Sequence, residues 1–388
     1  MLRKVALLLF ALCAITIYVA AQAPQGPQST GALRSRPGAD RQPEFPIPNI
    51  REYKPRSTLV VPEHPTPKAK FPAIDIHSHQ PVPISAADFA RVVEGMDRNN
   101  IRILVNNSGA SGERLRQALE AIRNSPHRDR MVQFAEVDFR NVGPGWGAKA
   151  AQQLEADIKM GAVGLGEVSK GLGLRFKKSD GTRLRVDDPE LDPVWETCGR
   201  LGVPVLIHTA EPQEFFEPID YTNERWLELA LFPDRRYPAG VFPRFEELME
   251  ERNRMFRKHP KTTFIAAHMA YHANDLARMG RLLDEMPHVY TETGAVLAEL
   301  GRQPRAAHAF FVKYQDRVLF GKDAFQPDEF PYFWRTFETN DEYFDYYRDY
   351  HAFWKLYGIG LPDGVLRKLY YQNALKIVPG LPKTGFTD

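Results

Sequence analysis

Two histidines stand two residues apart in Asp75-Ile-His77-Ser-His79, at the end of a short apolar run. Residues two apart on a strand share a face, so both imidazoles point to one side together and can chelate a cation. Comparable runs end in Val205-Leu-Ile-His208, Ile265-Ala-Ala-His268 and Leu319-Phe-Gly-Lys-Asp323. Four runs thus bring four histidines and an aspartate to their C-terminal ends, which points to a metal or acid/base site there. Neutral imidazoles with a carboxylate suit zinc or manganese, and a divalent ion lowers the pKa of its water towards about 7. Asp75, which precedes the two histidines, is expected to act as a strand-end hydrogen bonder.

These side chains need a frame that gathers strand ends. After Phe71 the sequence alternates apolar, often β-branched runs with amphipathic stretches of helical period. The runs are 73–77, 101–106, 131–137, 162–168, 203–208, 262–268, 288–293 and 317–323; the helical stretches are 86–99, 112–124, 148–160, 189–201, 243–259, 275–285 and 304–314. Eight strands separated by helices predict a (β/α)8 barrel, an α/β fold whose active sites lie at the C-terminal ends of the strands. An open doubly wound sheet is the competing reading, but no Gly-rich phosphate turn follows the first run. Two long connections, 169–187 and 209–242, fall at strand C-termini and are expected to line or cover a pocket. Phe215, Phe216, Tyr221 and Trp226 lie in the second and are expected to contact substrate. The aromatic series Tyr343, Tyr346, Tyr347, Tyr350, Phe353, Trp354 and Tyr357 has helical spacing and reads as a packed helix after the eighth strand. His64, His127, His259, His272, His288, His308 and His351 read as surface or capping residues.

The chain has 388 residues, 43% hydrophobic and 26% charged, which suits a globular domain and excludes collagen, coiled coil and wholesale disorder. Residues 1–23 have the layout of a secretory signal peptide, with Arg3 and Lys4 before an apolar stretch and small residues at Ala21 and Ala23. Export to the periplasm or the medium is expected; an uncleaved N-terminal anchor is the alternative. Without Arg3 and Lys4, the 51 basic residues become 49 against 49 acidic ones, so the mature chain is neutral and carries no footprint for nucleic acid. Residues 24–70 are Pro-rich and read as an extended leader, of which 57–62 is apolar enough to lie against the domain that occupies 71–380. Cys198 alone remains after processing, so no intramolecular disulfide is expected.

With His77-Ser-His79, His208, His268 and Asp323 in that order, the chain resembles the amidohydrolase superfamily. Within it the chain is similar to the amidohydrolase-related group that includes aminocarboxymuconate-semialdehyde decarboxylase. Asp187-Asp-Pro-Glu-Leu-Asp-Pro193 and Tyr371-Gln-Asn-Ala-Leu375 add to the resemblance, which spans about Phe71 to Val378. It implies one divalent metal, usually zinc, on His77, His79, His208 and Asp323, with His268 beside the metal orienting or activating the nucleophile. Physical chemistry agrees: Asp323 can ligate the metal and take a proton from water, while His268 holds the developing oxyanion. In two-metal relatives the fourth strand supplies a bridging lysine or glutamate, and Glu167 stands about there, as a ligand or as a substrate contact. Lys170 reads either as a binder of a substrate carboxylate or as a solvated loop lysine, and Lys322 departs from the small residue the family places before this aspartate. The expected activity is hydrolysis of a C–N or C–O bond in a small organic molecule. The alternatives are non-oxidative decarboxylation of an aromatic or enoic acid on the same residues, and a non-catalytic binding barrel. Membrane insertion is not expected after cleavage, and a homo-oligomer is compatible with the sequence.

Overall fold

The computed structural model describes residues 45–46 and 49–386, so the signal segment and the leader before Phe45 lie outside the described residues. Among the described residues no helix is long and apolar enough to cross a membrane. The chain divides at Leu59/Val60 into two units. In the first, Glu52 and Tyr53 donate their N–H groups to the Asn49 carbonyl in a single turn, and Phe45, Ile50, Tyr53 and Leu59 are exposed. Val60, in the second unit, is 95% exposed.

The second unit, Val60–Asp388, is built on eight parallel strands in sequential order: β1 Ala73–Ser78, β2 Ile101–Ala110, β3 Met131–Ala135, β4 Leu165–Val168, β5 Val205–Ile207, β6 Phe264–Ala266, β7 Val289–Glu292 and β8 Val318–Leu319. The sheet closes on itself: Ile76 donates to the Phe320 carbonyl at 3.0 Å and Asp323 to the His77 carbonyl at 2.7 Å, with a parallel bridge between Ser78 and Asp323. This is a (β/α)8 barrel. Its strands are buried on both faces, which is why they read as continuous apolar runs.

Local sequence sets the helix ends. Ser85 Oγ accepts from the Asp88 N–H at the start of helix Ala86–Arg98, and the Asp275 carboxylate accepts from the Arg278 N–H at the start of Leu276–Glu285. Gly202, at φ 69°, ends helix Asp192–Leu201 and turns the chain into β5. Helix Gly112–Arg123 packs on β2 and β3 and helix Trp146–Met160 on β3, and helix Phe245–Lys258 precedes β6.

The series Tyr343–Tyr357 is not a helix. Its turns are irregular and closed by an antiparallel bridge between Phe344 and Leu356; the helix after β8 is Phe330–Glu338. Phe344 and Tyr346 are buried while Tyr343 and Phe353 are exposed, so the aromatics pack one by one and form no helical stripe. The connection 169–187 makes a small hairpin about Gly181, with Lys178 donating to the Thr182 carbonyl. The connection 209–242 folds over a small core of its own, Leu174, Ala210, Phe215, Leu229 and Tyr237 against Phe245, Leu248 and Met249 of helix Phe245–Lys258.

Candidate metal centre

The strand ends meet at the barrel mouth. His77 Nε2 lies 3.3 Å from His79 Nε2, 3.7 Å from Glu167 Oε1 and 3.8 Å from Asp323 Oδ1. His79 Nε2 is 3.2 Å from Glu167 Oε2 and 3.5 Å from Asp323 Oδ1. From the other side, His208 Nδ1 lies 2.5 Å from Glu167 Oε1 and 3.3 Å from His268 Nε2. Bonds of about 2.0–2.1 Å in tetrahedral array place neighbouring donor atoms about 3.3 Å apart, so the spacings of 3.2–3.8 Å suit a divalent ion, whereas His208 and Glu167 are in direct hydrogen-bond contact. Two ligand groups stand out among the described residues, His77 with Glu167 and His268, and His77 with His79 and Asp323. His77 belongs to both.

Electrostatics points the same way. Burial pulls His77 and His208 towards neutrality, but the carboxylates outweigh it: Glu292 and Glu167 drive His77 well up, and Glu167 and Glu211 push His208 up to about 9. Burial would raise Glu167, yet His208 and His77 hold it far below the usual carboxylate range. A pocket that stabilises positive charge on its imidazoles stabilises a cation at the same centre. His268 behaves differently. Burial, with His208 beside it, lowers its pKa and keeps it neutral.

Each imidazole is oriented from behind. His77 Nδ1–H donates to Glu292 at 3.1 Å, leaving Nε2 facing the centre. Glu292 also accepts from the His268 N–H at 2.6 Å and the Gly294 N–H at 2.5 Å, and His77, with His268 after it, holds it down at about 2 against the effect of burial. Room for this carboxylate is made by Gly321, where an added Cβ would stand 2.3 Å from Glu292 Oε2. His79 Nδ1 lies 3.3 Å from Ser108 Oγ, and His268 Nδ1–H donates to the Gly294 carbonyl at 2.8 Å. His208 is held by the opposite nitrogen: its Nε2 is 2.7 Å from Tyr271 Oη, and Tyr271 donates to Glu211 Oε2 at 2.9 Å. Burial and Glu211 raise Tyr271 well above its ordinary value, so it stays a phenol.

Tyr271 reaches His208 through an unusual turn. His268, Met269, Ala270 and Tyr271 all have φ between 53° and 58°. Left-handed geometry costs roughly 1–2 kcal/mol per non-glycine residue, so strain is concentrated beside the site.

A cleft of about 210 Å³ opens onto His208, His268 and Asp323 and is walled by both insertions and the 343–357 segment, with Lys170, Glu211, Phe215, Arg225, Glu228, Tyr271, Arg348 and His351 among its lining. Lys170 and Phe215 are thus placed at the cleft. Phe216 and Trp226 are not among the lining residues: Phe216 stacks on Tyr237 at 5.1 Å and meets Phe245, and Trp226 meets Tyr221 at 5.7 Å. Lys170 is part exposed but not free: its ammonium bonds Glu211, which outweighs burial and raises its pKa. Lys322 is buried and turned away from the centre, donating to Glu329 and to the Ala324 carbonyl at 2.6 Å each. Asp75 accepts from the N–H groups of His77 and Lys322, tying β1 to β8. His259 and His272 are buried and cap the C-terminal ends of helix Phe245–Lys258 and of the His268–Tyr271 turn, whereas His351, buried 3.0 Å from Glu228 inside the cleft, is neither a surface nor a capping residue.

Sequence reasoning missed Glu292, Tyr271 and Glu211. Glu292 ends a strand like the ligands and could have been found by that rule. The other two sit in irregular segments whose course no period reveals.

Residues 61–380 match the model of a family described as Amidohydrolase, and the chain belongs to that family. It is an enzyme of the metal-dependent hydrolase superfamily, whose members generally use a divalent metal. Among solved structures it is similar to an uncharacterised TIM-barrel protein from Bordetella bronchiseptica, at 15% identity over 79% of this chain and 97% of that one, with a TM-score of 0.48. The L-hydantoinase (dihydropyrimidinase) from Arthrobacter aurescens is 11% identical over 79% and 70%, with a TM-score of 0.46. An IDCase from Metarhizium anisopliae in apo form is 15% identical over 76% and 78%, with a TM-score of 0.41. No curated protein matches the chain.

Proposed function

We propose that the chain hydrolyses a C–N or C–O bond of a small organic molecule at a divalent metal, zinc by the chemistry of the donors. The observation that carries this reading is the meeting of two overlapping ligand groups, His77 with Glu167 and His268 and His77 with His79 and Asp323, with His208 against Glu167 and His268, at the floor of a cleft of small-molecule size. His77, His79, His208 and Asp323 would hold the ion, with Glu167 among them. The ion supplies Lewis acidity, which makes water a nucleophile near neutral pH and polarises a carbonyl.

The remaining work falls to the protein. Asp323 is part exposed at the cleft floor, and its Oδ atoms can accept the proton of an attacking water. Its N–H is anchored on the His77 carbonyl, so the carboxylate cannot swing away with a loop. His268, kept neutral and with Nδ1–H fixed on Gly294, presents Nε2 to the cleft, where it can take a proton and pass it to the leaving group. Glu292 holds His77 and the backbone of His268 together, so the two sides of the site keep one register.

The test is turnover by zinc-loaded protein on separate panels of amides, lactones and aromatic carboxylic acids. The reading predicts that water is added to an amide or a lactone. Release of carbon dioxide from an acid, with no hydrolysis on either other panel, contradicts it. We also propose that the enzyme is exported, on the layout of residues 1–23, and a mature N-terminus beginning after Ala21 or Ala23 is the expected product.

A further inference from the structure

Behind His208 runs a chain of polar groups that no strand end supplies. Its first link is the Tyr271 hydroxyl, 2.7 Å from His208 Nε2 and 2.9 Å from Glu211 Oε2. Its last is Lys170, whose ammonium bonds the other oxygen of Glu211. The hydrogens along this chain can be placed. Glu211 faces an ammonium and a phenol, so it is ionised and only accepts; the single phenolic hydrogen therefore goes to Glu211, and His208 Nε2–H must donate to the Tyr271 oxygen. With Nε2–H committed to the Tyr271 oxygen, the nitrogen left to meet an ion is Nδ1, which is turned towards Glu167 and His268 and whose hydrogen, now shared with Glu167 Oε1 at 2.5 Å, is the one an ion would displace.

The backbone is bent to make this contact. Four successive left-handed residues without a glycine carry the chain from His268 to Tyr271. The turn is pinned from outside by Arg252, which is buried and donates to the Ala270 carbonyl at 2.8 Å. Strain that is retained against such a support marks a feature with a task.

We infer that Tyr271, backed by Glu211 and Lys170, is a positioning residue that locks His208 in the tautomer able to bind a divalent ion through Nδ1. This rests on the metal reading above. His77 is held the other way round, with a carboxylate on Nδ1 and Nε2 inward. The site therefore pairs two histidines of opposite tautomer, each fixed by its own buried partner.

The experiment uses the full chain loaded with zinc. Tyr271→Phe keeps the ring and removes the hydroxyl, and Glu211→Gln keeps an acceptor but removes the charge that orders the phenol. Zinc dissociation constants are measured by competition with a chromophoric chelator, and histidine nitrogen shifts by NMR of protein labelled with 15N-histidine. Tyr271→Phe is expected to weaken zinc binding about 10–100-fold, the usual effect of removing the partner of a metal-binding histidine, and to move the His208 nitrogen signals alone. Glu211→Gln should act in the same direction and less, which keeps the test decisive should the Tyr271→Phe variant misfold. Zinc affinity within twofold of wild type in both variants, with unmoved His208 signals, overturns the inference, even if KM rises. Wild-type protein that takes up no zinc overturns the metal reading, and this inference with it.

Discussion

At the β1–β8 seam, His77 stands in a six-residue strand with His79 just past its end, Asp323 follows the two-residue β8 at φ 79°, and the closing bonds of the barrel hold all three: Asp323 N–H on the His77 carbonyl, Asp75 across to Lys322, Glu292 behind His77. Across the mouth, His208 leaves a strand of three residues and depends on a left-handed turn and on a glutamate in a long insertion. The seam takes its geometry from the fold itself, as the ladder of a closed barrel cannot shift without opening it. The β5–β6 side takes its geometry from local devices that stand on the fold. Substitutions that strip ligands should therefore hit both sides alike, whereas substitutions of the supports should separate them.

The largest effects are expected from His79→Ala and His208→Ala, one on each side. Both should lose most of the bound divalent ion and lower turnover by at least about 10²–10⁴, while far-UV circular dichroism stays that of the folded barrel, because the core is built elsewhere. If either variant kept wild-type metal and rate, its side would not belong to the centre. Asp323→Asn keeps an oxygen for coordination but accepts no proton. A rate reduced by roughly 10²–10⁴ with much of the metal retained is the expected pattern, read from kcat beside elemental analysis.

Supports come next. Gly321→Ala drives a methyl group into Glu292, and overpacking of this kind costs about 1–3 kcal/mol, seen as a lower denaturation midpoint together with weaker metal retention. Across the mouth, Ala270→Gly gives left-handed backbone the residue it favours. Relief of strain is offset by the lost methyl contact and by the more flexible unfolded chain, so stability should change by less than about 1 kcal/mol. The same exchange at Ala118, in helix Gly112–Arg123, should cost about 1.5–2 kcal/mol, because there glycine loses helix propensity as well as the buried methyl. Equal losses at both alanines would mean that the turn carries no strain.

The smallest effect is a silence. Cys198 is buried in helix Asp192–Leu201, and burial pushes its thiol up to about 12, so a thiol reagent at pH 8 should leave Cys198 of the folded protein unlabelled and reach it only on unfolding. Prompt labelling of Cys198 in native protein would show that the barrel wall opens near this helix.

The same division explains what could be read in the sequence. His77, His79, His208, His268 and Asp323 were legible because strand period and the ends of apolar runs dictate where such side chains point. Most predicted helices were legible as well, since caps such as Ser85 and Gly202 punctuate them. The aromatic series 343–357 misled, because spacing alone does not tell a stripe from separately packed rings. Tyr271 and Glu211 were silent for a different reason: their roles depend on a run of left-handed residues and on the path of an insertion, and neither leaves a period. Phe216 was assigned to the cleft from its loop, but apolar partners in the insertion's own core claim it instead.

Zinc titration of chelator-stripped wild-type protein, followed by elemental analysis of the dialysed product, tests the account at its centre. The convergence of His77, His79, His208, Glu167 and Asp323 predicts tight uptake of about one ion or more per chain, and its loss on exchange of His208 for alanine. Folded wild-type protein that emerges from dialysis without zinc would contradict it.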